Sequence, residues 1–262
     1  MKILDAPSLR LRPSEANILS PSLTVLSTSV LPHPLAALPS GLTTLILQDV
    51  EISSKFLNHL PKSLTELSLS NPTRTQGSSS MDAQPLGPSA SLPPRLTSLS
   101  LHDPSLDADS FVKTFNIRKA QSLLRLFSDS ETISDHSILL LNRQLKSIDL
   151  SSSNHISGKC FPYLPRTVTF LNFSNTKSIY DWDIQHLPRA LKTIKIRCAI
   201  HLSDDCIPDL PKHLEEADLS LNSKITTACI DHLPPLLKCG NQSFIVSRWC
   251  LKWGKIEKEG IF

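Results

Sequence analysis

The sequence predicts an α/β solenoid, in which one short unit recurs along the chain and successive copies stack side by side. Residues 164–173 return as residues 187–196 and again as residues 210–219, with a step of 23 residues each time. Within each segment the apolar residues follow the pattern Leu-Pro-x-x-Leu-x-x-Leu-x-Leu, and the last two alternate as in a short β-strand. A polar turn and further apolar residues follow, which is typical of a short helical turn. A fixed period of this length indicates a repeat array.

The template can be followed along most of the chain. Leu-Pro pairs begin further copies at Leu38, Leu60 and Leu92, and Leu233 begins a copy that is not completed. Other copies keep the phase without the proline, and they are marked by Leu19, Leu23 and Leu26, by Leu124 and Leu126, and by Leu141, Leu145, Ile148 and Leu150. Leu9 and Leu11 indicate the tail of a still earlier copy. We therefore count seven clear copies and up to three weaker ones.

The spacing within one copy explains why the copies must stack. Each copy offers about three strand residues and a single apolar face, which is too little to be stable alone. At a constant period the strands lie side by side as a curved parallel sheet on the concave side, and their leucines merge into one core. The second half of each copy, as in residues 202–207, predicts a short helix or turn on the convex side, which begins at a capping Ser or Thr. The proline of the next Leu-Pro ends that helix because it lacks an N–H group.

This pattern resembles the leucine-rich-repeat family over roughly residues 19–240. The six-residue gap followed by Ile-Thr/Ser-Asp resembles the cysteine-containing repeats of many F-box substrate receptors, and Leu-Pro-x-x-Leu also resembles the short repeats of bacterial effector proteins. The cysteine-containing type normally has a longer period and a Cys or Asn after the strand. Here that position holds Ser153, Thr176, Ala199 and Asn222, so only Asn222 conforms.

Departures from the period define the predicted domain boundaries. Residues 1–18 form an N-terminal flank or partial repeat, and residues 19–240 form the solenoid. A Ser-, Pro- and Gly-rich insertion occupies about residues 70–91, because Leu64 and Leu96 lie 32 residues apart instead of about 23. Residues 241–262 form a C-terminal cap or tail, in which Trp249 and Trp253 predict one face of a helix that closes the core. The alternative is a truncated array that ends in an unrelated tail.

Composition narrows the classes of partner. The chain has 262 residues, of which 40% are hydrophobic, and this is enough for one solenoid domain. A net charge of +3 is too small to indicate nucleic acid as a partner. No apolar run approaches the ~18 residues of a membrane span, and the N-terminus does not read as a secretory signal. We expect a cytoplasmic or nuclear protein with no nucleic-acid or membrane partner.

The cysteines and histidines follow the repeat rather than a chemical motif. Cys160, Cys206 and Cys229 occupy one slot of the period, which predicts reduced cysteines that pack as small apolar residues. His186 and His232 lie in copies that are two periods apart. This is about 10 Å at the spacing of parallel strands, which is too far for both to bind one metal ion. We expect no metal site.

Acid–base and nucleophilic candidates also have structural explanations. Asp181, Asp183, Asp204 and Asp205 lie where carboxylates cap the first turn of the outer helices. Cys229-Ile230-Asp231 resembles the nucleophile motif of bacterial effector ubiquitin ligases, but it lies inside a repeat. No glycine pattern for phosphate binding is present in the sequence. The sequence therefore predicts that the chain is not an enzyme and takes no cofactor or small-molecule substrate.

Residues that alternate with the core leucines project from the concave face, and such a rigid polar ladder suits protein recognition. Phe170 has the character of an interface anchor. The basic pair at 195 and 197 stands beside the acidic pair at 216 and 218, so these charges either contact a partner or pair across the rungs. The predicted contact residues are Glu66, Ser68, Asp149, Phe170, Asn172, Lys195, Arg197, Glu216 and Asp218.

Taken together, these patterns predict a non-catalytic scaffold that binds a partner protein on the concave face. The alternative, implied by the resemblance to F-box receptors, is the substrate-recognition part of an F-box-type ubiquitin ligase complex. Its partner would then include a ubiquitin ligase adaptor.

Overall fold

A computed structural model describes most of the repeat region and parts of both ends. The described residues are 3–10, 19–30, 38–49, 51–52, 54–71, 73–74, 92–102, 116–129, 133–238, 244–246, 249–252 and 255–258. The strands are β1 Ile3–Arg10, β2 Val25–Val30, β3 Thr44–Gln48, β4 Glu51–Ile52, β5 Glu66–Ser70, β6 Thr73–Arg74, β7 Ser98–His102, β8 Arg125–Ser128, β9 Ser147–Asp149, β10 Phe170–Asn172, β11 Thr193–Lys195, β12 Glu216–Asp218, β13 Phe244–Val246, β14 Trp249–Lys252 and β15 Lys255–Lys258.

Within the described ranges, thirteen of these strands form one sheet in the order in which they follow the chain, without β4 and β6. Neighbouring strands are parallel from β1 to β13, and their register repeats the sequence period. Leu171 pairs with Ile148 on one side and with Ile194 on the other, and Ile194 pairs with Ala217. Because equivalent residues are aligned strand after strand, their side chains fill one continuous core, as the period predicted.

Short helices and turns follow the strands on the other side of each coil, so the fold is a solenoid with the sheet on its concave side. The described α-helices are Ser54–His59, Asp135–Leu139 and Pro235–Lys238. The described 3-10 helices are Ile117–Lys119, Gly158–Tyr163, Asp181–His186, Asp204–Asp209 and Thr227–His232. None of the helices in the described part of the chain is long and apolar enough to cross a membrane.

The core slots are filled almost without solvent exposure. Leu171, Ile194 and Leu219 are each at most 1% exposed. The core residues that precede these strands, Val168, Leu191 and Leu214, are fully buried. Burial of one such side chain contributes about 1.5–3 kcal/mol relative to leaving it in water. Repetition of this contribution in every coil stabilises a strand that is only three residues long.

The chain leaves strands β9 to β12 through a left-handed residue at a fixed place in the period. Ser152, Asn175, Cys198 and Leu221 have φ of 67°, 65°, 58° and 65°. Only Gly, Asn and Asp adopt this conformation readily, because other side chains crowd the backbone there. The turn is therefore imposed by the stacking of the coils, since three of these four residues do not favour it.

The weak copy between residues 101 and 150 is real, but its register differs from the predicted one. Leu126 pairs with Leu99 and with Ile148, and Leu123 rather than Leu124 fills the preceding core slot. The slot after Leu126 holds Ser128, which is fully buried. Because this copy lacks the third leucine of the pattern, the pattern did not identify its register.

The two ends and the insertion also differ from the expectations in detail. At the front, Leu4 aligns with Leu26, so the earlier copy is in phase with Leu4 and not with Leu9 and Leu11. The insertion leaves the sheet continuous, because β5 pairs directly with β7, while residues 75–91 lie outside the described part of the chain.

At the far end, the helix predicted through Trp249 and Trp253 is wrong. Trp249–Lys252 is a strand that pairs antiparallel with Phe244–Val246 and with Lys255–Lys258. Trp253 itself lies outside the described residues. The edge of a parallel sheet offers unpaired N–H and C=O groups, and an alternating segment rich in strand formers satisfies them better as a strand than as a helix.

Candidate functional site

The outward side of the parallel sheet carries aligned rows of residues, because alternate strand positions point away from the core, and two of these rows run across all strands from β5 to β12. The register aligns each row across the strands. From β5 to β12 the first row is Glu66, Ser98, Arg125, Ser147, Phe170, Thr193 and Glu216, and the middle row is Ser68, Ser100, Phe127, Asp149, Asn172, Lys195 and Asp218. Eight of the nine predicted contact residues lie in these rows, and Arg197 lies two residues beyond the end of β11.

The centre of this sheet face is a hydrogen-bonded polar network. Asn172 Nδ2 donates to Asp149 Oδ2 at 3.0 Å, and Asn172 Oδ1 accepts from the Ser174 hydroxyl at 2.7 Å. Asp149 Oδ1 also accepts from the Ser151 N–H at 3.2 Å. These bonds hold the side chains of Asp149 and Asn172 in fixed orientations, so a partner would meet a preorganised surface rather than mobile polar groups.

The basic and acidic pairs at the C-terminal end of the sheet do not all neutralise one another. Arg197 Nε lies 3.8 Å from Asp218 Oδ2, which is the cross-rung pairing that the sequence left open. Lys195 turns the other way, and its Nζ lies 5.8 Å from the centre of the Phe170 ring. Glu216 is exposed and accepts a long 3.4 Å bond from the Thr193 hydroxyl. Phe170 is thus half-buried under Lys195 rather than fully exposed.

The middle of the face holds residues that the sequence prediction missed. Arg125 pairs with Glu66 across the intervening strand at 3.3 Å. Phe127 lies against His102, with ring centroids 4.7 Å apart, and His102 Nδ1 lies 3.5 Å from Asp129 Oδ2. The signal was present as Leu123-x-x-Leu126, whose spacing matches that of the neighbouring copies; this register places Arg125 and Phe127 on the outward face.

The repeat-slot cysteines are packing residues, as predicted. Cys160, Cys206 and Cys229 are free thiols with at most 1% exposure. Burial raises the pKa of all three thiols, and the nearby carboxylates of the outer turns add to this effect. For Cys229 the pKa rises to about 11. A thiol that resists ionisation is a poor nucleophile, so burial disfavours the nucleophile role that the Cys229-Ile230-Asp231 resemblance suggested.

Three of the four outer aspartates have structural partners, mostly in the neighbouring coil. Asp181 accepts from both the N–H and the hydroxyl of Ser203, and Asp204 does the same for Thr226. Asp183 caps its own turn by accepting from the Tyr180 N–H at 2.9 Å. In the part of the chain that the structure describes, no group of three or more His, Cys, Asp or Glu side chains is arranged to hold a metal ion.

Comparison with known proteins shows a similar fold among solved structures but no match in sequence. No family model matches the chain, and no curated protein matches its sequence. The solved structure of the Rad7 and Elc1 complex from yeast matches with 19% identity over 84% of this chain and 62% of that chain, at a TM-score of 0.57. The chain has the leucine-rich-repeat fold. It spans less than two thirds of that matched chain.

Two further solved structures match with lower TM-scores. The leucine-rich repeat-containing protein LegL7 from Legionella pneumophila is 16% identical over 72% of this chain and 61% of that chain, with a TM-score of 0.41. An internalin from Listeria monocytogenes is 16% identical over 85% of this chain and 74% of that chain, also with a TM-score of 0.41.

The leucine-rich-repeat coils of this chain share a buried slot just after the strand. Ser153, Thr176, Ala199 and Asn222 occupy it in turn, and all four are fully buried. Asn222 Nδ2 donates to the carbonyl oxygens of Ile196 and Leu219, both at 2.8 Å. The slot therefore requires a small side chain or one that bonds to the backbone.

Proposed function

We propose that this leucine-rich-repeat chain is a non-catalytic scaffold that binds a partner protein on the concave face of its sheet. The observation that carries the proposal is the placement of two aromatic side chains, Phe127 and Phe170, on a face that is otherwise polar and hydrogen-bonded. The proposal includes a cytoplasmic or nuclear location.

The two phenylalanines bracket a strand of small and polar residues. Strand β9 lies between β8 and β10, so Phe127 and Phe170 stand two strands apart, which is about 10 Å. Between them β9 presents Ser147 and Asp149, both half-buried. A partner side chain can enter above the small Ser147 and contact both rings. Aromatic residues that can be desolvated in this way dominate the binding energy of protein interfaces.

Charges around the two rings would orient the partner. Arg125 lies in the same row as Phe170, and Lys195 stands over the Phe170 ring. Asp149 supplies a carboxylate between them, held by Asn172. A partner with an apolar anchor and an acidic neighbour would complement Lys195, since Arg125 already pairs with Glu66, and charge complementarity of this kind fixes register and specificity.

The proposal is tested in two steps. Proximity labelling in the native cell identifies partner proteins, and pull-downs then compare the natural chain with Phe170→Ala and Lys195→Glu. Loss of an interface anchor costs at least about 2 kcal/mol, so we expect Phe170→Ala to weaken binding about thirtyfold. Tyr163→Ala and Lys212→Glu are matched controls, because both residues are exposed outside the sheet face. Unchanged binding by both face variants, with circular dichroism like that of the natural chain, would remove the sheet face as the site.

A second candidate is the substrate-recognition part of an F-box-type ubiquitin ligase complex. It is supported by the resemblance of the repeats to those of F-box receptors and by the match to a structure in which Rad7 forms a complex with Elc1. Co-purification of a ubiquitin ligase adaptor with the full chain would favour it. Capture of a partner that depends on Phe170, without any adaptor, would favour the simple scaffold.

A further inference from the structure

The turns that lead into strands β9 to β12 each carry a cation at the same place in the period. These four residues form the basic row, and all of them are exposed: Arg143, Arg166, Arg189 and Lys212. Each of the last three follows directly on a Leu-Pro pair, and the first follows on Leu-Asn. At the spacing of parallel strands the basic row is about 14 Å long.

The four turns have the same hydrogen bond, which fixes where the cations lie. The N–H groups of Val168, Leu191 and Leu214 each donate to the carbonyl oxygen of the proline three residues earlier, at 3.1 Å. Leu145 N–H donates to the Asn142 carbonyl oxygen in the same way, at 3.4 Å. The cation is the second residue of each β-turn. Because the donors are buried core residues, the cations occupy equivalent points of successive coils.

The cations of the basic row have no carboxylate partner. In the part of the chain that the structure describes, no ion pair includes any of them. Arg143 Nη1 donates to the Tyr163 carbonyl oxygen at 2.8 Å, which does not neutralise its charge. Residues 139–146, 162–169 and 185–192 hold five Arg or Lys and no Asp or Glu. Like charges on adjacent strands repel each other, and a bound anion would relieve that repulsion.

A cleft lies at the C-terminal end of the basic row. Its volume is about 430 Å³, and Arg189 and Lys212 from adjacent coils are both part of its lining. Pro208 and Pro211 add apolar surface, and Asp209 adds a carboxylate that disfavours a second anion at this end. The basic row thus offers three arginines in line, followed by a cleft that suits an apolar side chain.

We propose that the basic row binds an acidic segment of a partner protein, whose carboxylates pair with the three arginines and whose following apolar side chain enters the cleft. A guanidinium group can donate two parallel hydrogen bonds to one carboxylate, which makes arginine the better match for such a segment. Single-stranded nucleic acid is a poorer match, because it needs aromatic platforms beside the cations. Tyr163 is the only Phe, Tyr or Trp in residues 139–146, 162–169, 185–192 and 208–215. The site does not depend on the proposed role of the sheet face.

The test uses fluorescently labelled ligands whose anisotropy is followed as the full chain is added at low salt. The first is a peptide of six glutamates followed by phenylalanine, and its two matched forms carry glutamine for glutamate or alanine for phenylalanine. The fourth is an oligothymidylate of equal charge. One exposed ion pair changes affinity by up to about fivefold, so we expect the glutamine peptide to bind at least about tenfold more weakly than the first. The alanine peptide is expected to lose about fivefold or more.

A pair of double variants separates the basic row from general charge attraction. Arg166→Gln with Arg189→Gln is expected to weaken binding of the acidic peptide about five- to twentyfold. Lys159→Gln with Lys177→Gln is the matched control, because it removes the same charge from two exposed lysines outside the row. We expect the control to change the affinity by no more than about twofold. All four side chains are exposed, and circular dichroism checks that both double variants fold like the natural chain.

Two single variants separate this site from the sheet face. Phe170→Ala is expected to leave the affinity for the acidic peptide unchanged. Lys212→Glu is expected to weaken it, although the same variant leaves binding on the sheet face unchanged. The two proposals can therefore fail separately.

Four results would overturn the proposal. Equal affinity of the glutamate and glutamine peptides would remove the carboxylates from recognition, and equal affinity of the phenylalanine and alanine peptides would remove the cleft. An equal loss in the two double variants would leave only general charge attraction. Tighter binding of the oligothymidylate than of the acidic peptide, with the same dependence on Arg166 and Arg189, would make the basic row a nucleic-acid site.

Discussion

Gly158 is expected to be intolerant of any side chain, because the next coil already fills its space. An ideal Cβ on Gly158 would lie 2.0 Å from Oδ2, 2.1 Å from Cγ and 2.4 Å from Cβ of Asp183. Since the overlap reaches the base of the Asp183 side chain, rotation of its tip cannot relieve it. In Gly158→Ala the aspartate must move away or the two coils must separate, and the hydrogen bond from the Tyr180 N–H is lost.

The magnitude follows from that bond and from the group that it leaves unpaired. A hydrogen bond to a charged acceptor contributes about 1.5–3 kcal/mol, and an unsatisfied buried N–H costs about 1–3 kcal/mol. Because the two overlap in part, we expect Gly158→Ala to lower the free energy of unfolding by about 2–4 kcal/mol. In a chain that already carries Asp183→Gly, the three atoms nearest to a Cβ at position 158 are absent, because all of them belong to the Asp183 side chain. There the same substitution is expected to be neutral or stabilising by up to about 1 kcal/mol.

Urea unfolding followed by far-ultraviolet circular dichroism measures both effects as a double-mutant cycle. The coupling free energy between Gly158→Ala and Asp183→Gly should be at least about 2 kcal/mol. Gly41→Ala is the control, because its Cβ would meet only the Pro21 carbonyl oxygen at an ordinary 3.7 Å. Equal destabilisation by Gly158→Ala in both starting chains, or none in the natural chain, would refute the steric argument.

Three further predictions follow from the described coils. Leu221 has φ of 65° and is 55% exposed, so Leu221→Asn is expected to raise stability by about 0.5–1 kcal/mol in urea unfolding; a loss would contradict the strain argument. Asp204→Ala removes both bonds to Thr226 and is expected to cost about 1–2 kcal/mol and speed hydrogen exchange of the Thr226 amide, whereas Asp205→Ala leaves that amide unchanged. Folding raises the pKa of the Cys229 thiol from 9.0 to about 11. The stability that this shift contributes is fully present below pH 9.0 and is lost as the pH rises towards about 11. Cys229→Ala should therefore show a shallower fall of stability between these pH values, and identical slopes would count against a protonated thiol.

Much of the fold could be predicted from the sequence because one rule acts in every coil. A two-residue alternation inside a constant period places Leu171, Ile194 and Ala217 in one slot, and the strands pair in that register. The slot shared by Cys160, Cys206 and Cys229 follows from the same period, because equivalent positions meet equivalent surroundings.

The prediction failed where the local pattern was interrupted. Ser128 fills a leucine slot, so the copy around Leu126 was read one residue out of register at Leu124, and Arg125 and Phe127 were missed on the sheet face. Trp249–Lys252 was read as part of a helix from two tryptophans four residues apart, but an available strand edge decided its conformation. A short apolar segment has no conformation of its own that outweighs such pairing.

For the unusual side chains of the Tyr180 coil, too, the sequence could have predicted one part and only the structure shows the other. Comparison of each slot at the 23-residue step would have shown that Tyr180, Asp183 and Gly158 differ from their equivalents. It would not have shown that the three differences compensate one another, because that depends on how closely the Asp183 side chain approaches Gly158 of the neighbouring coil.

The amino-acid order alone determined the phase of this protein: which residues enter the core, which form strands, and which side of each strand faces outwards. Phase is a property of spacing along the chain, and spacing can be read directly. The tertiary structure decided the contacts between coils, such as Lys195 over Phe170 instead of beside the acidic residues of the next rung. Such choices depend on side-chain direction and on the close approach of coils 23 residues apart, which no period in the sequence specifies.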